Sequence, residues 1–162
     1  MFKKAIMGVA IALVLAGAAV TVATASSTGA STPRPETIRL VAKQTQATVL
    51  VLAATGHGPV GNQFLTTDEV FRQGRKVGDD ASVCQVVAEP GHGSRRFHCV
   101  ATVSLPEGQL TAQGLATVTE TSPQPFTLAI TGGTGAYRTA HGQFQVAPVS
   151  ETERHYTLTL IL

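Results

Sequence analysis

The stretch Phe97-His-Cys-Val-Ala-Thr-Val-Ser-Leu105 decides the fold class, because apolar and polar residues alternate along it. Every second residue from Phe97 onward is apolar, whereas His98 and Thr102 fall on the opposite side. A repeat of two residues indicates a β-strand with one buried face, since successive side chains of a strand point to opposite sides. The stretch therefore predicts a strand whose apolar side faces the core.

Similar alternation recurs on both sides of this stretch, and residues rich in Gly and Pro separate the runs. No interval offers a long amphipathic helix. The predicted strands are 37–44, 46–54, 63–71, 81–88, 97–105, 109–114, 126–131, 142–149 and 155–162. Short strands at intervals of about ten residues predict an all-β, antiparallel barrel or sandwich.

The N-terminal 25 residues have a different composition from the rest of the chain. Two lysines precede a mostly apolar run from Ala5 to Val22, and small residues follow up to Ala25. This pattern predicts a secretory signal peptide over 1–25, and the alternative is an uncleaved membrane anchor, because the run is long enough to span a bilayer. Residues 26–36 are expected to form a flexible tail, and 37–162 the folded domain. We therefore expect an exported protein that leaves the membrane after cleavage.

The charge of the domain argues against a nucleic-acid partner. The chain has 12 basic and 10 acidic residues, and two of the basic residues, Lys3 and Lys4, lie in the leader. The remaining chain is formally neutral, so it predicts no basic surface for nucleic acid. Neither a cofactor-binding motif nor a metal-ligand spacing occurs, and we expect no cofactor and no metal.

Two cysteines flank a predicted hairpin turn. If this turn is centred between Gly91 and His92, Cys84 and Cys99 lie equally far from it and face each other on the apolar side. Directly opposed strand residues have Cβ atoms about 4.5–5.5 Å apart, close to the distance that a disulfide needs. In an oxidising compartment the pair predicts a disulfide. A free Cys84 inside a pocket is the alternative.

The segment Phe126-Thr-Leu-Ala-Ile-Thr-Gly-Gly-Thr-Gly-Ala-Tyr-Arg-Thr-Ala-His-Gly-Gln-Phe144 resembles the most recognisable stretch of plant allene oxide cyclases, and of the related dirigent proteins and bacterial barrels. Further segments are similar to the family in the same order: 61–64 with 67–71, 77–78 with 83–87, and 105–114. The resemblance implies an eight-stranded, closed antiparallel barrel with an elongated apolar cavity. It also implies a homotrimer, the common assembly of the plant members.

For function, the resemblance implies a barrel that binds an apolar or aromatic small molecule and steers its cyclisation or coupling, as a cofactor-free isomerase does. It implies catalytic roles for Asp68, Tyr137 and Arg138, which match an acidic or amide, an aromatic and a basic position of the family. It places Cys84 in the pocket. Aromatic residues complete the predicted pocket: Phe97, Phe126, Phe144 and Tyr156.

The predicted first strand differs from the cyclase pattern. Residues 37–43 contain neither the Glu nor the Asn that cyclases carry there, and His141 stands where dirigent proteins commonly have Arg. An apolar cavity serves a carrier as well as a cyclase. The alternative function is therefore a non-catalytic carrier of a hydrophobic ligand or a secreted interaction module.

Overall fold

The computed structural model describes residues 35–52, 59–119 and 124–162. The predicted signal peptide and all but the end of the predicted tail thus lie outside the described residues. Within the described ranges there is no helix with the length and apolar character needed to cross a membrane. The described residues form eight strands and one short 3-10 helix: β1 Glu36–Leu50, β2 Gln63–Arg72, β3 Arg75–Gly91, β4 Ser94–Leu105, β5 Gly108–Thr119, β6 Phe126–Gly133, the 3-10 helix Gly135–Tyr137, β7 His141–Pro148 and β8 Glu153–Ile161.

Each strand pairs with the next in antiparallel fashion, and the last strand returns to the first. β8 pairs with β1 from Glu36 opposite Leu160 to Lys43 opposite Glu153. This pairing closes the sheet into a barrel with the order β1 to β8. The prediction of an all-β, eight-stranded antiparallel barrel is confirmed. Within the described residues, β5 and β6 pair only from Leu110 opposite Gly133 to Gln113 opposite Ala129.

Most strands are longer than predicted, and two differences change the interpretation of the sequence. Residues 37–44 and 46–50, predicted as parts of two strands, are one strand, β1, which bulges between Gln44 and Gln46 and so keeps its pairing with β2. The last two residues of the predicted strand 46–54 lie outside the described residues. Gly78-Asp-Asp80, predicted as a connection, lies inside β3. A Cβ atom at Gly78 would collide with the backbone oxygen of Ser104, so this glycine allows the close approach of β4 and does not mark a turn.

The β3–β4 hairpin brings the two cysteines together. Its turn residues, His92 and Gly93, have positive φ angles of 55° and 69°, which places the turn one residue later than predicted. Register shifts between Val86 and Gly91 compensate for this difference and leave Cys84 opposite Cys99. A disulfide joins the two residues, as predicted, so Cys84 carries no free thiol.

Large apolar side chains fill one half of the barrel interior, which we call the closed half. It lies at the end where the β2–β3 and β4–β5 turns and the 3-10 helix meet, and the backbone N–H of Ala136 donates to the carbonyl of Glu107 there at 2.9 Å. The buried residues of this half include Ile38, Leu40, Val70, Val103, Leu105, Leu110, Ile130, Tyr137, Leu158 and Leu160.

Candidate functional site

The other half of the barrel, the open half, contains a cavity of about 340 Å³. Small inward-facing side chains such as Ala47, Ser82, Ala101 and Ala116 leave space where the closed half has Leu and Ile. The cavity is lined by Gln44, Ala47, Phe64, Thr66, Asp80, Ser82, Cys84, Phe97, Cys99, Ala101, Ala116, Val118, Phe126, Leu128, Phe144, Val146, Arg154 and Tyr156. All five residues predicted for the pocket, which are Cys84, Phe97, Phe126, Phe144 and Tyr156, are among them.

Aromatic rings form much of the cavity wall. Phe64 and Phe97 make an edge-to-face pair with centroids 5.5 Å apart, and Phe144 and Tyr156 make a second pair at 4.8 Å. Rings held at right angles offer both a face and an edge to a planar ligand. Both cysteines of the disulfide also line this wall.

A group of polar side chains interrupts the apolar wall, and we call it the acid cluster: Gln44, Asp68, Asp80, Arg154 and Tyr156. Asp68 on β2 and Asp80 on β3 face each other directly in the strand ladder. Both are buried, at 2% and 3% exposure. Arg154 and Tyr156 come from β8 and reach these carboxyl groups because β8 closes the barrel against β1, next to β2.

Asp68 is the centre of the hydrogen bonds in the acid cluster. Arg154 Nη1 donates to Asp68 Oδ1 at 3.0 Å and to Oδ2 at 3.3 Å, while Arg154 Nη2 donates to Gln44 Oε1 at 2.7 Å. The Tyr156 hydroxyl donates to Asp68 Oδ2 at 3.0 Å and lies 3.2 Å from Asp80 Oδ1. Two of the hydrogen bonds that Asp68 accepts come from the Arg154 guanidinium, and charge-assisted bonds of this kind are stronger than neutral ones.

Asp80 has a different protonation state from its neighbour. Burial, together with the adjacent Asp68 carboxylate, raises the pKa of Asp80 to about 8, so this side chain is a neutral acid near pH 7. Burial also raises the pKa of Tyr156, which keeps the phenol protonated. The acid cluster thus combines one carboxylate, one guanidinium and one carboxylic acid.

One oxygen of the acid cluster is left without a protein partner. Asp80 Oδ2 is buried and makes no hydrogen bond within the described part of the chain. Asp80 also lines the cavity. Oδ2 itself is inaccessible even from the cavity, and a hydrogen bond with the Asp68 carboxyl group contributes to the raised pKa of Asp80, so this carboxyl group is held within the acid cluster.

The predicted catalytic residues lie in two separate places. Asp68 belongs to the acid cluster but does not itself line the cavity, whereas Asp80 and Tyr156 do. Tyr137 and Arg138 lie at the turn between β6 and β7, in the closed half, and neither lines the cavity. Tyr137 is buried, and its burial, followed by the nearby Glu107, raises its pKa. The structure does not bring these two residues to Asp68.

The sequence pattern does not indicate three residues of the acid cluster: Asp80, Arg154 and Gln44. Asp80 lies in Gly78-Asp-Asp80, which is predicted as a connection. Asp68 and Asp80 nevertheless lie equally far from Gly74 at the β2–β3 turn, a symmetry like the one that pairs the two cysteines. Arg154 and Gln44 are far from both acids in sequence, and no local pattern points to their contact. Within the described ranges, no group of three His, Cys, Asp or Glu side chains is placed to hold a metal ion.

The fold and the site define the chain as a small, closed β-barrel with an internal cavity. Its sequence matches the family model of the allene oxide cyclase barrel like domain over residues 37–162. The chain therefore belongs to this family.

Several solved structures share the barrel. Pyocyanin demethylase is 29% identical, with a TM-score of 0.68, and the match covers 77% of this chain and 99% of that one. AbnU, an exo-specific intermolecular Diels-Alderase, is 15% identical over 78% of this chain and 98% of its own, with a TM-score of 0.63. The pterocarpan synthase dirigent protein PsPTS1 is 16% identical over 79% and 95%, with a TM-score of 0.59. The last two similarities concern the fold alone. No curated protein matches the sequence.

Proposed function

We propose that the open half binds an apolar or aromatic small molecule and steers its cyclisation or coupling, as a cofactor-free isomerase of the allene oxide cyclase type does. The observation that carries this proposal is an apolar, aromatic-walled cavity of about 340 Å³ with a buried acid cluster in its wall. A cavity that holds a reactive molecule in one conformation accelerates ring closure, because the bound molecule is already oriented and the entropic part of the activation barrier is smaller. Similarity to pyocyanin demethylase supports a small molecule as the ligand.

In this proposal Asp68 organises the polar part of the site. Its carboxylate fixes the side chains of Arg154 and Tyr156, both of which line the cavity. A rigid polar patch beside mobile substrate atoms is what selects one conformer over others. The proposal assigns no chemical step to Tyr137 or Arg138, because they lie in the closed half.

A non-catalytic carrier is the second candidate, and the apolar inward residues at the start of β1 favour it. The inward residues of the strand segment where cyclases carry Glu and Asn are here Ile38, Leu40 and Ala42, and all three are buried in the core. None of these three residues lines the cavity, where β1 contributes Gln44 and Ala47. A ligand therefore meets no carboxyl group on this strand.

Native mass spectrometry of protein purified from its producer tests whether the cavity holds a small molecule. We expect a copurifying ligand on the wild-type protein, and none on the Ala101→Leu variant, in which a larger side chain occupies the cavity. Liquid chromatography of the ligand incubated with wild type and with Asp68→Asn then separates the two functions. A cyclase yields an isomer of equal mass and different retention only with the wild type, whereas a carrier returns the same molecule from both.

We also propose that the protein acts outside the cell. Two features support export: the leader pattern over 1–25 and the Cys84–Cys99 disulfide, a bond that persists in oxidising compartments. N-terminal sequencing of protein from the culture medium tests this proposal, with a first residue close to Ser26 as the expected result. A chain that remains with the membrane and begins at residue 1 would contradict it.

For the assembly, we propose a homotrimer that uses the outer side of β2, β3 and β4. Leu65, Val83 and Val100 are neighbours across these strands, and Val83 and Val100 are 41% and 43% exposed. A row of exposed apolar residues is typical of a protein contact surface. Light scattering coupled to size exclusion should give the mass of three chains for the wild type and of one chain for Val100→Lys.

A further inference from the structure

We propose that the hydroxyl groups of Thr66 and Ser82, which we call the hydroxyl pair, recognise the ligand. The cavity then takes an uncharged aromatic molecule with an oxygen acceptor at the middle of the long edge of its ring system. This inference rests on the proposed function of the cavity as a small-molecule site. It adds the chemical class of the ligand, the position of its polar group and the two residues that bind that group.

The first step concerns a row of small side chains that crosses four strands. Ala47 on β1 is opposite Thr66 on β2, and Thr66 is opposite Ser82 on β3. Ala101 on β4 continues the row as the partner of Ser82. All four residues line the cavity. Because none of these side chains is large, the row leaves space beside the two hydroxyl groups.

The second step concerns accessibility. Thr66 and Ser82 point into the barrel, because each lies two residues from an inward-facing acid on its own strand, Asp68 on β2 and Asp80 on β3. Thr66 and Ser82 are half-buried, whereas the two acids are buried. Of these two polar pairs, the hydroxyl pair is thus the one that offers accessible surface to a ligand.

The third step concerns the hydrogen atom that the hydroxyl pair leaves free. Thr66 Oγ1 and Ser82 Oγ lie 2.7 Å apart in a hydrogen bond in which either atom can be the donor. The hydroxyl that accepts this bond keeps its own hydrogen, and neither oxygen has another hydrogen-bond partner among the described residues. A hydroxyl that accepts one hydrogen bond donates the next one more strongly. The free hydrogen therefore suits an oxygen acceptor on a bound molecule.

The fourth step concerns the position of that acceptor on the ligand. In the β2–β3 ladder, Phe64 lies one rung further from the turn than the hydroxyl pair, and the two acids lie one rung nearer to it. Successive rungs on one side are about 7 Å apart. Phe64 belongs to one aromatic pair, and Tyr156, which donates to Asp68, belongs to the other. An aromatic ligand that contacts both pairs thus presents the middle of its long edge to the hydroxyl pair.

The fifth step concerns the charge of the ligand. Arg154, a cationic residue of the cavity wall, is paired with Asp68 at 3.0 Å. The hydroxyl pair supplies hydrogen bonds but no counter-charge. An ionic ligand would therefore lose its hydration in an apolar cavity without gaining an unpaired counter-charge. An uncharged acceptor such as a ketone oxygen avoids this cost.

Four probes that share one ring system test the proposal. 9-Fluorenone carries a ketone oxygen at the middle of its long edge, fluorene lacks this oxygen, 2-acetylfluorene carries its ketone near one end, and fluorene-9-carboxylate is an anion. Equilibrium dialysis against the full-length folded protein measures each affinity. We expect fluorenone to bind about threefold to tenfold more tightly than fluorene, the gain typical of one neutral hydrogen bond. The anion should bind most weakly.

The double variant Thr66→Val with Ser82→Ala removes both hydroxyl groups and adds no bulk to the wall. It should bring the ratio of the fluorenone and fluorene affinities to one. Fluorene itself should bind the double variant at least as tightly as the wild type, which shows that the barrel and its cavity are intact. The ratio of the 2-acetylfluorene and fluorene affinities should be the same in both proteins, because that ketone lies away from the hydroxyl pair.

A second hydroxyl pair provides the matched control, since a bond between hydroxyl groups on neighbouring strands also stabilises the sheet. Thr111 Oγ1 and Thr131 Oγ1 lie 3.2 Å apart between β5 and β6, at exposed positions that do not line the cavity. Thr131→Val removes this bond. The fluorenone preference of this variant should equal that of the wild type.

Each result supports or overturns the proposal. Equal affinity of the wild type for fluorenone and fluorene would overturn it, and this measurement needs no variant. A fluorenone preference that survives in the double variant, one that is lost in Thr131→Val, a 2-acetylfluorene preference that is lost in the double variant, or tightest binding of the anion would also overturn it. In these cases the cavity would still qualify as a ligand site. If none of the four probes binds, both this inference and the proposed function fail.

Discussion

The two halves of this barrel share strands and alternation but differ in what fills them. On β4, Val103 and Leu105 fill the closed half, whereas Cys99 and Ala101 line the cavity of the open half. On β8, Leu158 and Leu160 are fully buried, whereas Arg154 borders the cavity. Packing and ligand space therefore come from the size and polarity of inward side chains, and not from a change of fold.

The boundary between the halves is sharp enough to separate two neighbouring alanines. Ala101 and Ala112 are cross-strand partners on β4 and β5. Both belong to the buried core, yet Ala101 lines the cavity and Ala112 does not. Substitutions on either side of this boundary should accordingly affect stability and binding in opposite ways.

The largest expected effect is the loss of packing in the closed half. Leu158→Ala should lower the free energy of unfolding by about 2–5 kcal/mol, because the fully buried side chain leaves a cavity among rigid neighbours. Urea denaturation followed by circular dichroism measures the change. Leu115→Ala, at a residue that is 59% exposed, is the control and should change stability by less than about 0.5 kcal/mol. Equal effects of the two variants would contradict the comparison.

The second effect is a dependence of stability on pH that is caused by Asp80 in the acid cluster. Folded Asp80 keeps its proton up to a pKa of about 8, whereas the unfolded chain loses it above the ordinary value of 3.8. The unfolded state thus binds fewer protons between these values, and stability falls as pH rises through this window, by at most about 1.4 kcal/mol per pH unit.

Asp80→Asn should remove this fall. Thermal denaturation of wild type and variant at pH 5 and pH 8 measures the difference, with Asp79→Asn as the control for a change of charge. A wild-type Tm that rises from pH 5 to pH 8 in step with that of Asp80→Asn would argue against a protonated Asp80.

The third effect concerns the Cys84–Cys99 disulfide in the wall of the open half. Replacing both Cys84 and Cys99 by Ala should lower the free energy of unfolding by roughly 3 kcal/mol, the loop-closure contribution for two cysteines 15 residues apart. Urea denaturation with and without a reducing agent checks the value. Reductant should destabilise the wild type and leave the double variant unchanged, and a wild type insensitive to reductant would show that the bond adds no stability.

The smallest expected change in stability accompanies a large change in binding. Ala101→Leu should alter the free energy of unfolding by less than about 1 kcal/mol, because the new side chain enters empty space. The same variant should abolish binding of an apolar fluorescent probe in the cavity. Ala112→Leu should instead cost about 1–3 kcal/mol through overpacking and leave binding intact. Denaturation and fluorescence titration of both variants test this contrast. Identical behaviour of the two variants would contradict the claim that the cavity ends between Ala101 and Ala112.

Several features were predictable from local sequence. Alternation along 97–105 and its neighbours identified the strands, and symmetry about a turn paired Cys84 with Cys99. The same symmetry about Gly74 also pairs Asp68 with Asp80, although the assignment of Gly78–Asp80 to a connection concealed it. A turn sets the approximate register of its hairpin, and in these two hairpins register shifts near the turn complete the pairing of Cys84 with Cys99 and of Asp68 with Asp80.

The sequence by itself determined which residues point inward, how hairpins pair and which family the chain resembles, since all three depend on short-range patterns. Only the tertiary structure decided that Arg154 and Tyr156 meet Asp68, that Tyr137 packs in the closed half and that a cavity remains. Alternation defines a side of the sheet but not a height along the barrel axis. That height depends on how the closing strands, β8 and β1, align, and no local pattern records their stagger.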